Sequence, residues 1–97
     1  MSEVRTAPVK AQRVEDIDEA GAVPGAFEYY SDGDRYPGGV IYNCPCGCGA
    51  TGALRFRPAA SPSWEWDGNT DAPTLSPSVH HVGHWHGWLR NGVWESC

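Results

Sequence analysis

No run of the 97-residue chain approaches the roughly 18 apolar residues of a membrane span. Met1-Ser2-Glu3-Val4-Arg5 lacks the apolar stretch of a secretory signal. Both absences predict a cytoplasmic protein with no membrane partner. Cations are scarce: Lys and Arg together number 7 against 12 Asp and Glu, for a net charge of −5. Tight nucleic-acid binding relies on a basic patch, so nucleic acid is not an expected partner. Residues 1–24 contain no aromatic side chain. Long helices are excluded as well, because 12 Gly and 8 Pro interrupt the chain about once in every five residues.

What remains is a single small domain with little core. Five Trp, four Tyr and two Phe supply large apolar area per residue. Four Cys are candidates for a staple, and in a cytosolic chain clustered Cys point to a metal before a disulfide. The first 24 residues, acidic and without aromatics, predict a flexible or loosely docked arm, with at most a short turn between Arg13 and Ala20. Residues 25–97 predict a mostly β, antiparallel, zinc-stapled domain.

Alternating or aromatic runs place strands at Phe27–Tyr30, Gly38–Asn43, Ala53–Arg57 and Trp64–Asp67. Leu54 and Phe56 fall on one face. Leu75–His81 is a further strand interrupted by Pro77, which suits an edge. Asn91-Gly92 between two aromatic runs predicts a two-residue type I′ turn and a C-terminal β-hairpin. Register then follows by arithmetic: Arg90 faces Val93, Leu89 faces Trp94, Trp88 faces Glu95, Gly87 faces Ser96, and His86 faces Cys97.

Cys44-Pro45-Cys46-Gly47-Cys48-Gly49 packs three thiols into five residues. With His86 and Cys97 it offers five candidate ligands for four tetrahedral positions. Thiolates and imidazole together suit Zn²⁺. One structural zinc would clip the cluster to the terminal hairpin, making ligand binding a source of folding free energy. A disulfide within the cluster or to Cys97, and buried free thiols, stay open as alternatives. His84 reads as solvent-facing, and His80 and His81 as loop residues. The tryptophans read as packing, and Asp67 and Asp71 as turn formers.

Four blocks in order resemble one small family of phage, prophage and bacterial proteins, formally a domain of unknown function. They are Cys-Pro-Cys-Gly-Cys-Gly at 44–49, Trp64-Glu65-Trp66-Asp67-Gly68, Pro73-Thr74-Leu75-Ser76-Pro77-Ser78-Val79, and His86-Gly87-Trp88-Leu89-Arg90-Asn91-Gly92. Its phage members are often mislabelled ammonia monooxygenase, an activity these residues do not support. The resemblance spans roughly residues 26–97 and implies a compact zinc-binding β domain of phage or bacterial origin. That origin extends the expected location to host cytoplasm or virion. Some bacterial relatives sit beside ubiquitin-like conjugation genes, which implies an accessory or adaptor role. The family pattern carries over at Cys44–Cys48, His86 and Cys97. Many relatives have a Cys just before the matched His, where this chain has Trp85.

The leading functional expectation is a non-catalytic zinc module that binds a protein partner, since four protein ligands leave zinc no position for water. The alternative is a zinc-dependent hydrolase with an open metal site, using Thr74, His84 or Asp71 in acid–base roles. His-Glu-x-x-His is absent from the sequence. A thiol redox protein and a single-strand nucleic-acid binder complete the set.

Overall fold

The computed structural model describes residues 5–59 and 61–97, which are all β strand, turn and loop with no helix. In chain order the strands are β1 (Val9–Lys10), β2 (Phe27–Asp32), β3 (Arg35–Asn43), β4 (Thr51–Arg55), β5 (Glu65–Trp66), β6 (Leu75–Ser76), β7 (Val79–His81), β8 (Trp85–Arg90) and β9 (Val93–Ser96). Three antiparallel sheets result, ordered β2-β3-β4, β1-β9-β8-β7 and β5-β6.

Period-two alternation decides which side chains enter the core. Phe27 and Tyr29 of β2, Val40 and Tyr42 of β3, and Leu54 of β4 are buried. Phe56, just past β4, continues the inward face. Trp85 and Leu89 of β8 and Trp94 of β9 are buried from the other sheet. Burying Leu89 alone contributes ~2 kcal/mol of transfer free energy. Tyr42 and Trp94 meet between the sheets, with ring centroids 5.0 Å apart, so the aromatic-rich core lies between them. Trp94 donates its indole N–H to Gly25 O at 2.9 Å. A Cβ on Gly25 would lie 2.8 Å from that indole, and its φ is +79°, so the site requires glycine.

The terminal hairpin has the expected register from Arg90↔Val93 to Gly87↔Ser96. Asn91 at φ 49° and Gly92 at φ 71° form the left-handed turn. Cys97 N–H donates to His86 O at 3.1 Å, so these two residues are adjacent in the ladder. Leu75–His81 divides at Pro77: β6 pairs with β5, and β7 pairs with β8 as the edge of its sheet.

Residues of the N-terminal segment run along the edge of β9. Val9 pairs with Trp94 and Lys10 with Val93. Ala11 N–H donates to Gly92 O, and Phe27 N–H to Gln12 O. Ala11 and Ile17 are buried. A single turn closes at Ala20 N–H to Asp16 O, 3.1 Å, within the span where a short turn was expected.

Candidate functional site

Cys44, Cys46 and Cys48 lie on the loop from β3 to β4. Cys44 N–H donates to Ala50 O at 2.8 Å, which extends the β3–β4 ladder and seats the loop. Gly47 N–H donates back to Cys44 O, curling the chain around the thiols. The three sulfurs lie within 4.8 Å of one another. Cys44 is buried, Cys46 half-buried and Cys48 exposed. Burial first, then the neighbouring thiols, push the Cys44 thiol up to about 12. Cys48 is lowered, chiefly by a hydrogen bond from the Ala50 backbone.

This donor set fits one soft divalent ion. Zn–S bonds of about 2.3 Å place tetrahedral sulfurs about 3.8 Å apart, and the three sulfurs here lie within 4.8 Å of one another. Beneath the cluster, Tyr42 OH lies 3.3 Å from His81 Nδ1. Burial, then Cys44 and Cys48, raise the Tyr42 phenol to about 12, which keeps it a hydrogen-bond donor. His81 packs edge-on to His84, centroids 5.0 Å apart. Burial, then His84, lower the His81 imidazole below the usual histidine value.

Of the five expected ligands, the structure gathers Cys44, Cys46 and Cys48 into one group. His86 and Cys97 fall outside that group among the described residues. Cys97 is exposed at the end of β9. His86 meets a different side chain: its Nε2 lies 3.2 Å from Ser78 Oγ.

The Ser78–His86 contact follows from the β7–β8 pairing. His80 sits opposite His86, and Ser78, two residues before His80, shares that face. Trp85, Leu89 and Val79 point to the core, so Ser78, His80 and His86 line the outer face of the sheet. The rings of His80 and His86 pack at 4.5 Å, which restrains the His86 imidazole. Trp64 donates its indole N–H to Ser78 O at 3.2 Å, which anchors the Ser78 backbone. A hydroxyl at this distance from an imidazole can pass it a proton and attack an acyl carbon. Ser78 carries no spacing signature of its own. Its one sequence signal is its place in Pro73-Thr74-Leu75-Ser76-Pro77-Ser78, read above only as part of a resemblance.

A cleft of about 250 Å³ is lined by Tyr42, Thr51–Leu54, Trp64, His80, His81 and Val82, without Ser78 or His86. A larger cavity of about 610 Å³ lies between Arg35, Tyr36, Arg57 and Trp66, and neither the thiol cluster nor Ser78 and His86 line it. No helix among the described residues is long and apolar enough to cross a membrane.

Fold and site thus define a small antiparallel β-domain that carries a thiol cluster able to hold a metal and, on a separate face, a serine–histidine contact. Residues 13–97 match the model of the BubE family, described as the bacterial ubiquitination-like system serine protease, and the chain belongs to that family. No curated protein and no solved structure matched the chain.

Proposed function

We propose that this chain is a serine peptidase of a bacterial ubiquitination-like system, with Ser78 as nucleophile and His86 as its general base. The observation that carries the reading is the 3.2 Å separation of Ser78 Oγ and His86 Nε2. The family description supports it. The reading departs from the non-catalytic module expected from sequence, and it gives His86 a role other than metal ligand.

In this mechanism Ser78 Oγ attacks the carbonyl carbon joining the ubiquitin-like protein to its target or to its own C-terminal extension. The Oγ proton passes to His86 Nε2 as the C–O bond forms. His86 returns it to the leaving amine as the C–N bond breaks. Water then attacks the acyl-serine, His86 takes its proton, and the carboxylate leaves as Ser78 recovers its hydrogen. His80 and Trp64 act as positioning residues, restraining the imidazole and the Ser78 backbone.

Cys44, Cys46 and Cys48 would hold a zinc ion whose role is structural, cross-linking the β3–β4 loop. His86 stands outside the group that the three thiols form. The protein partner in this reading is the ubiquitin-like protein and its conjugates.

The experiment is hydrolysis of an activated ester and of a peptide aminocoumarin by wild type, Ser78→Ala and His86→Gln. We expect kcat to drop at least ~10³-fold in both variants, with melting temperatures close to wild type. Undiminished turnover in Ser78→Ala removes the nucleophile. Absence of turnover in wild type favours the non-catalytic binding module.

A further inference from the structure

We infer that the cavity between Arg35, Tyr36, Arg57 and Trp66 is a second binding site, for a short segment of a protein partner that carries an aromatic ring between an acid and a base. Neither Ser78 nor His86 lines it, and the inference holds whether or not these two form a peptidase.

The cavity is built where strands end. Phe56 N–H bonds Gly38 O and Arg57 N–H bonds Trp64 O, so residues 56–58 run between β3 and the start of β5. Arg35, the first residue of β3, reaches across them. Its guanidinium donates to Pro58 O at 3.1 Å and to Phe56 O at 3.0 Å, and meets Asp32 at 3.4 Å. A guanidinium has five N–H donors, and these contacts use three. Arg35 is thus held in place with two donors left for a ligand. The aromatic wall is equally fixed. Trp66 stacks on buried Phe56, centroids 5.1 Å apart, and its indole N–H donates to Asn69 O. Tyr36, also in the lining, is 61% exposed, and a ring of that size gains from being covered.

Two opposite charges in the lining stand ready for a ligand. Neither the Arg57 guanidinium nor the Glu65 carboxylate has a hydrogen bond or ion pair among the described residues, although their segments are neighbours. An acid in the ligand would meet Arg57 and the remaining donors of Arg35, and a base would meet Glu65. A ring between them would cover Trp66 and Tyr36. A uniformly acidic ligand fits poorly, because Glu65 repels its second charge. An uncharged apolar ligand would desolvate Arg57 and Glu65 without pairing either.

Size and continuity favour a peptide segment over a free amino acid. The volume of about 610 Å³ is in the range of sites that take drug-sized ligands. A second cleft of about 280 Å³ shares Tyr36 with the first and again carries both signs, in Arg13 and Glu28. Arg13 lies over the Tyr29 ring there, 5.0 Å from its centroid. A chain that crosses Tyr36 reaches both clefts, whereas a single amino acid reaches one.

The test titrates isotope-labelled whole chain with Ac-Asp-Phe-Lys-amide and with Ac-Lys-Phe-Asp-amide, which cover both chain directions. Shifts centred on the Trp66 indole N–H and the Arg57 side chain are expected with at least one of them. For that peptide, replacing Asp by Asn or Phe by Ala should raise Kd ~tenfold or more, and Lys by Gln ~threefold or more. Arg57→Gln protein should lose ~tenfold with an unchanged melting temperature, since Arg57 is exposed and holds no side-chain partner among the described residues. Absence of shifts at millimolar peptide, shifts centred on another face, or an Asn peptide bound within ~twofold of the Asp peptide overturns the inference. Free phenylalanine bound as tightly as the peptide also overturns it, in favour of an amino-acid site. The peptide substitutions leave the protein unaltered, so the test stands should Arg57→Gln fail to fold.

Discussion

Ser78 and His86 are separated by 3.2 Å between Oγ and Nε2, while Ser76, two residues earlier, pairs with Glu65 on a different sheet. This contrast makes the assignment residue-specific. Ser76→Ala is expected to keep ester hydrolysis within ~threefold of wild type, whereas Ser78→Ala loses it; steady-state kinetics on both variants checks the difference. A second residue-scale expectation concerns His81. Burial and His84 hold its imidazole below the ordinary value, so the unfolded chain takes up a proton at higher pH than the folded one. Stability is therefore complete above the unfolded value near ~6.5 and declines as pH falls below it. Thermal melts from about pH 7.5 down to about pH 5.5 should show a decreasing melting temperature, with a shallower slope in His81→Gln. Equal slopes in the two proteins would remove His81 as a source of the pH dependence.

At the scale of elements, the terminal hairpin was legible because Asn91-Gly92 sets both turn type and register. Gly92→Ala would force a side chain into φ +71° and bring its Cβ within 2.9 Å of Ala72 Cα. A loss of ~1–2 kcal/mol in urea unfolding is expected. The strands carrying Leu54 and Phe56 were legible for a similar reason, since strict alternation exposes one face and buries the other. The break at Pro77 was legible, but its consequence was not. It sends β6 to pair with β5 and β7 to pair with β8, and only that change of partner brings Ser78 to His86. A tertiary contact between single residues on separate strands leaves no period in the sequence. The thiol cluster needed no such contact, because five consecutive residues contain all three sulfurs. His86 was expected at the metal from its place opposite Cys97; that adjacency exists in the backbone, while the imidazole meets Ser78.

Across the whole molecule, two sheets share one aromatic core, and two further devices bear on its stability. The first is the thiol loop. Cys44→Ser should lower both bound-metal content and melting temperature, and a chelator should lower the melting temperature of wild type but not of the variant. The second is the N-terminal segment. Thr6 Oγ1 accepts from the indole N–H of fully buried Trp85 at 3.1 Å, and Val9–Lys10 covers the edge of β9. Deleting residues through Gln12 would strip that partner and that strand. The expected result is a clear fall in melting temperature, with the bound-metal content unchanged.

The account turns on Ser78 being activated by His86, and a fluorophosphonate reports this most directly, because it reacts with an activated serine and needs no knowledge of the substrate. Intact-mass and peptide mass spectrometry of the treated protein should show one adduct, on Ser78, formed much more slowly in His86→Gln. An unmodified protein, or an adduct on Ser76 or any other serine, would contradict it.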